Sequence, residues 1–246
     1  IYGINHLNYD PQKHHIISAA SCTTTGLAHM IKPLLEHKET ANIMTASMST
    51  IHAATNSQSI LDSVPKAGAS DLRKTRSVFN NIILSTTGVS KALELVMPEI
   101  KNIGFMADSV RIPTNTVSLI NLNVTFHAEL NELGQPNITR KLINDIYKQA
   151  AEGPQNGLLM YTERQNVSAD MIGNMAAVVI EANETHTRTS FIAVPPKTLK
   201  ELGAPEDKTV YMPVTHAKIF GWYDNELGSY TNCLSRLINY IDETTP

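Results

Sequence analysis

Cysteine is scarce in this sequence: Cys22 and Cys233 are the only two among 246 residues. Two cysteines cannot build a disulfide framework or a Cys-rich zinc site, so no metal is expected, and they suit a reducing, cytoplasmic compartment. Long apolar runs are missing as well. Met175–Ile180 is among the longest, far short of the roughly 20 residues that cross a bilayer. Nor is there a basic excess: 20 Lys and Arg stand against 23 Asp and Glu, for a net charge of −3. Neither a nucleic acid nor a membrane is therefore expected as a partner. No positive-then-apolar leader opens the chain, and a start at Ile1 rather than Met suggests a piece of something longer. The 12 glycines never fall as G-x-G, which removes both the dinucleotide fingerprint and the P-loop. A nucleotide used by this protein would have its phosphates held elsewhere.

What is present is the composition of an ordered domain, 42% hydrophobic and 17% charged, long enough for a sizeable core. Periodicity sketches its elements. Ile16–Ala20 reads as a short strand leading into Ser21–Cys22–Thr23, and Leu27, Ile31, Leu34 and Leu35 recur at helical spacing, with Pro33 expected to kink or shorten that helix. Ala41–His52 reads as a strand and residues 55–69 as a long loop. Ser70–Asp71 is positioned to cap a helix reaching about Leu84, and Thr86–Thr87–Gly88 to lead a second through Leu93, Val96 and Met97. Strands are expected at Ile103–Ile112 and Val117–Phe126, the latter with Ser118, Ile120, Leu122, Val124 and Phe126 on one face. A helix at Asn137–Ala151 and strands at Leu158–Thr162, Ala176–Ala182, Ser190–Val194 and Thr215–Tyr223 follow. A last helix from about Glu226 carries the stripe Leu227, Tyr230, Leu234, Leu237, Ile241. Blocks of strands and helices predict an α+β fold, one domain over residues 1–246, with a mixed or antiparallel sheet and helices mainly on one face.

Two residues suggest chemistry. Cys22 lies at the start of a helix, among hydroxyls, where unpaired backbone N–H groups favour a thiolate. A nucleophilic thiol needs a base, and His52, at a strand end before a loop, can serve; His14, His15, His29 and His37 read as solvated surface. Cys233, inside the last helix, reads as inert. Ser85–Thr86–Thr87–Gly88 precedes a helix and suits either a phosphate or a plain cap. Arg111, ending an apolar strand, is expected to be paired or directed at a ligand.

Taken together, Ala20–Ser21–Cys22–Thr23–Thr24, Ile51–His52 with Thr55–Asn56, Ser85–Thr86–Thr87–Gly88, Arg111–Ile112–Pro113–Thr114, Tyr161–Thr162–Glu163 and Trp222–Tyr223–Asp224–Asn225–Glu226 resemble the catalytic, C-terminal domain of phosphorylating glyceraldehyde-3-phosphate dehydrogenase. The resemblance implies Cys22 as nucleophile and His52 as base. It also implies Thr55 and Arg111 at the substrate phosphate, Ser21, Thr23, Thr87 and Gly88 around the attacking inorganic phosphate, and Asn225 at the nicotinamide carboxamide. NAD or NADP would be bound mainly by a Rossmann domain absent from this chain. The 226–246 helix would pack on that absent domain, and the whole protein would be a homo-oligomer, a tetramer by resemblance. The fragment alone is expected to transfer no hydride. A relative acting on erythrose 4-phosphate and an idle scaffold are the other readings. Thr25 and Gly26 depart from the family's usual Asn and Cys, Lys74 from an arginine, and residues 183–218 are longer than the norm.

Overall fold

A computed structural model of the chain describes residues 1–204 and 208–245. Residues 205–207, inside the long 183–218 stretch, and Pro246, at the end of the expected last helix, lie outside the described residues. In order come α1 (Cys22–Glu36), β1 (Ile43–His52), β2 (Ile83–Ser85), α2 (Val89–Val96), β3 (Gly104–Arg111), β4 (Ser118–His127) and α3 (Arg140–Glu152). After them come β5 (Leu159–Thr162), β6 (Val178–Glu181), β7 (His186–Val194), α4 (Pro196–Glu201), β8 (Val210–Tyr223) and α5 (Ser229–Thr244). The strands form one sheet ordered β2-β3-β1-β4-β8-β6-β5, with β7 added along β8. The β1–β3 and β5–β6 pairs are parallel and the others antiparallel. The fold is α+β with a mixed sheet.

The core follows from strand alternation. Ser118, Ile120, Leu122, Val124 and Phe126 of β4 are all buried while their neighbours are half-buried. The four apolar ones meet Met48 of β1, Ala217 and Ile219 of β8, and Leu27, Ile31 and Leu34 of α1 in one cluster. Each such aliphatic side chain contributes roughly 1.5–3 kcal/mol by leaving water. Two glycines let α1 lie close on the sheet: a Cβ on Gly221 would stand 2.6 Å from Met30 Sδ, and one on Gly26 would crowd Ile120 and the Ala177 carbonyl at 3.3 Å. Thr25 and Gly26, the two departures after Cys22–Thr23–Thr24, are therefore inside the core. The helix runs on to Glu36 beyond Pro33.

Several expectations fail. Ile16–Ala20 forms no strand; Ile16 is 96% exposed and the segment pairs with nothing regular. The expected helix from Ser70 to Leu84 is a single turn, Leu72–Thr75, followed by the short β2. Asp71 does cap it, accepting from Arg73 N–H, but Leu72, Phe79 and Ile82 face outward, so no core holds further turns. His29 is not on the surface. It is fully buried, with Gln155 Nε2 at 2.8 Å from its Nδ1 and the Tyr2 carbonyl at 3.1 Å from its Nε2. The last helix begins at Ser229 rather than Glu226, because the Asp224 carboxylate draws the N–H groups of Glu226 and Leu227 into a turn. Its stripe is partly covered within this chain, where Cys233 and Leu237 are buried.

Candidate active site

The site is assembled where α1 begins and where β1 and β3 end. Ser21, extended at φ −137° and ψ 164°, caps α1 by accepting from Thr24 N–H through its hydroxyl at 3.1 Å. This places Cys22 as the first helical residue, half-buried. Thr50 and His52 are two apart on β1 and so share its buried face. His52 Nε2 lies 3.7 Å from Cys22 Sγ. The parallel register of β1 and β3 pairs His52 directly with Arg111. The Arg111 guanidinium makes a short contact through Nη1 with His52 Nδ1 and donates to the Ala53 carbonyl at 3.2 Å. The structure thus unites Cys22, His52 and Arg111, which stand far apart in the chain.

Sequence reading missed the polar chain beneath them. Tyr223 is fully buried, its hydroxyl 2.8 Å from Thr23 Oγ1 and 2.7 Å from Thr50 Oγ1. Burial, and after it the nearby Cys22, push this phenol well above its ordinary range, against the hydrogen bonds of Thr23, Thr50 and Ser118. Ser118, opposite Tyr223 in the β4–β8 register, accepts from Ala53 N–H at 3.0 Å and donates to Asn225 Oδ1 at 2.9 Å. The alternation of β1 could have nominated Thr50, and the position of Tyr223 inside a named motif could have nominated it. Nothing local could have joined the two.

Electrostatics corrects one expectation. Burial pushes the Cys22 thiol up, and the opposing hydrogen bonds at Thr23 and the charge of Arg111 do not cancel it. Removing a thiolate from water costs more than the helix start returns. His52 is pushed down to about 4, first by burial and then by Arg111, against the Ala53 carbonyl that favours its charged form. Burial thus disfavours the charged form of both side chains. Arg111 is a half-buried cation with no carboxylate at ion-pair distance among the described residues, and its Nε is buried without a partner. Burial lowers its affinity for the proton. A cation so placed is suited to an incoming anion.

The other expected residues lie further out. Thr55 is exposed and, with Asn56, Pro113 and Asn225, lines a cavity of about 610 Å³. Its hydroxyl reaches Ser57 Oγ and Gln58 Oε1. Thr87 accepts from Val89 N–H and Gly88 caps α2, and no hydrogen bond among the described residues joins either to the Cys22 cluster. Asn225 sits on the turn held by Asp224, whose carboxylate also accepts from Gly173 N–H at 2.7 Å. Burial would raise that carboxyl, but the N–H groups of Glu226, Gly173 and Leu227 outweigh it and hold it low. Backbone strain marks the same end of the fold. Ala20, just before Ser21, has φ 61°, and the β-branched Val117, just before Ser118, has φ 66°. Such values outside glycine are uncommon and gather at functional sites.

Residues 21–195 match the family described as glyceraldehyde 3-phosphate dehydrogenase, C-terminal domain. The chain belongs to the glyceraldehyde 3-phosphate dehydrogenase family. Among its curated relatives, glyceraldehyde-3-phosphate dehydrogenase 2 of Streptomyces avermitilis is 37% identical over 242 residues. Glyceraldehyde-3-phosphate dehydrogenase 1 of Bacillus cereus and the enzyme of Geobacillus stearothermophilus are each 35% identical. In each case 98% of this chain is covered but 60% of the relative, so the chain spans less than two thirds of the length of those dehydrogenases. The family match spans Cys22, His52, Thr87 and Arg111, and stops at Pro195, before α4 and the strand β8 that carries Tyr223.

Proposed function

We propose that this chain is the catalytic half of an enzyme that oxidises glyceraldehyde 3-phosphate and passes its acyl group to inorganic phosphate, yielding 1,3-bisphosphoglycerate. The observation that carries the reading is the contact of Cys22 Sγ with His52 Nε2 at 3.7 Å, beside a guanidinium with no carboxylate partner among the described residues. Cys22 adds through sulfur to the aldehyde carbon, and its proton goes to His52. The resulting hemithioacetal becomes a thioester, which conserves the energy of oxidation until phosphate attacks it. Phosphate then forms the new C–O bond as the C–S bond breaks, and Cys22 leaves as thiolate to regain its proton. Arg111 and Thr55 take the substrate phosphate in this reading, and Ser21, Thr23, Thr87 and Gly88 the attacking one.

A nicotinamide dinucleotide, NAD or NADP, supplies the hydride acceptor when bound. The residues present fit its nicotinamide end: Asn225 has its Oδ1 committed to Ser118, which reserves its amide N–H groups for a carboxamide oxygen. With no G-x-G among the glycines, its pyrophosphate belongs to another domain. The chain alone is accordingly expected to reduce no dinucleotide.

The reverse half-reaction tests the reading without any cofactor. Given 1,3-bisphosphoglycerate, Cys22 should displace inorganic phosphate and carry a phosphoglyceroyl thioester, visible as an added mass on the peptide containing Cys22. Added inorganic phosphate should discharge it, and a Cys22→Ala variant should show none. A protein that stays unmodified, or is modified equally at Cys233, overturns the proposal.

A further inference from the structure

The core beneath the site holds hydroxyls where hydrocarbon would pack as well. Thr23, Thr50 and Tyr223 are 5%, 1% and 1% exposed. A buried hydroxyl costs free energy unless it is hydrogen-bonded, and these three satisfy one another through the phenol. Tyr223 Oη lies 2.8 Å from Thr23 Oγ1 and 2.7 Å from Thr50 Oγ1. Apolar side chains of equal size would fill the space but could slide against each other. Hydrogen bonds, with preferred lengths and angles, hold a fixed geometry.

What the phenol joins matters more than what it fills. Thr23 follows Cys22 in the first turn of α1, and Thr50 stands two before His52 on the same face of β1. Among the described residues no hydrogen bond joins α1 directly to β1 except the Cys22–His52 contact itself. Tyr223 is the one side chain from outside these two elements that bonds to both. Its ring also stands edge-on to the His52 imidazole, with centroids 6.1 Å apart and planes at 77°. The phenol has a single proton to give. Given to Thr23 Oγ1, with Thr50 donating to the phenol oxygen, it leaves the Thr23 proton free for an anion, so the bridge is compatible with the phosphate contact proposed for Thr23.

We propose that Tyr223 is a positioning residue for the Cys22–His52 pair: its hydroxyl ties the start of α1 to the end of β1 and so fixes the approach of Sγ to Nε2. It acts through the two threonines, and the role rests on the function proposed above. The bridge is where a small displacement would tell, because a misplacement of about 1 Å between reacting groups can cost on the order of 100-fold in rate.

Tyr223→Phe removes the bridging oxygen and keeps the ring. Acylation of Cys22 by 1,3-bisphosphoglycerate should then slow by roughly 10- to 100-fold. The pH at which iodoacetamide reaches half its maximal rate at Cys22 should rise, since a more distant histidine favours the charged sulfur less. Thr50→Val breaks the same bridge, so it should slow acylation by the same factor, and the double variant should be no slower. Thr50→Ser keeps the hydroxyl and should keep the rate. Tyr147→Phe removes an equally buried hydroxyl, bonded at 2.8 Å to the Met30 carbonyl of α1, and should lower the urea midpoint while leaving rate and pH profile unchanged. Should Tyr223→Phe fail to fold, Thr50→Val carries the same test. An unaltered rate and profile in the folded variant overturns the inference and leaves the proposed function standing. So does a Tyr147→Phe protein slowed as much, because any lost core hydrogen bond would then suffice. A wild-type protein that is never acylated overturns the proposed function, and the alkylation profiles then decide the bridge by themselves.

Discussion

Two buried histidines, His52 in contact with Cys22 and His29 beside a Tyr2 that also packs against Cys233, differ in almost everything else. At one end of α1, Cys22 and His52 are in contact, with Arg111 behind the ring. Further along the same helix, His29 faces Tyr2 and Gln155, and Cys233 lies with Leu158, Ala177 and Tyr2 in a small apolar cluster. Both imidazoles are pushed down to about 4, each chiefly by burial. A perturbed histidine is thus no mark of function here. What separates the regions is what each ring faces: Gln155 and a carbonyl satisfy His29, whereas His52 has a thiol on one nitrogen and, on the other, a cation with no carboxylate partner among the described residues.

The sharpest way to break this comparison is to remove each sulfur in turn. Cys22→Ala should abolish acylation by 1,3-bisphosphoglycerate, a loss on the order of 10⁴-fold or more. Cys233→Ala should leave that rate unchanged and cost about 1 kcal/mol of stability through lost packing. Burial pushes Cys233 up to about 11, whereas Cys22 is only half-buried, so in the wild-type protein iodoacetamide should label Cys22 first. Equal labelling, or an active Cys22→Ala protein, would erase the distinction.

The distinction was only half legible in the sequence. Cys22 and His52 could be singled out from a hydroxyl-rich helix start and a strand end, and the β4 alternation that buries Ile120 to Phe126 was plain. The contact between Cys22 and His52, however, depends on how α1 crosses β1, and the neighbourhood of His52 and Arg111 on a parallel register of strands separated by a loop, a short strand and a helix. No local pattern encodes either. His29 misled for the complementary reason: its helix is buried on more than one side, so a polar residue in it meets Gln155 rather than water. The expected helix after Ser70 misled because a cap specifies where a helix starts, not that apolar packing will extend it. There the chain instead ties itself to residues 59–63, through Val78 N–H to the Ser59 carbonyl and Ser63 N–H to the Thr75 carbonyl.

Acid sharpens the comparison at a smaller scale. Both histidines have folded values near 4 against 6.5 for the free side chain, so the unfolded chain binds more protons between those limits. Their contribution is fully present above about pH 6.5 and is lost as pH falls toward 4, by roughly 3 kcal/mol for each ring. Urea unfolding midpoints at pH 7 and pH 5 measure this. His29→Asn and His52→Asn should each remove about half of the pH dependence. Only His52→Asn should also slow acylation, by about 10²–10⁴-fold. Stability that rises on acidification would show that at least one ring is charged in the folded protein.

The smallest expected effects come from backbone conformation, where the two regions again part. Near His29 the left-handed position is filled by Gly3, at φ 78°, and an added Cβ would stand 2.4 Å from Leu158 Cδ1 and 2.8 Å from His29 Cε1. Gly3→Ala should therefore cost about 1–3 kcal/mol in strain and crowding. Beside Cys22 the left-handed position is filled by Ala20, where the Cβ penalty of about 1–2 kcal/mol is already carried. Ala20→Gly should relieve it and return a little less, a net gain below about 1 kcal/mol because glycine loses more freedom on folding. The same change loosens the residue that leads into the Ser21 cap, so stability and acylation rate should move in opposite directions. Were both to rise together, the strain before Cys22 would be incidental to the placement of its sulfur.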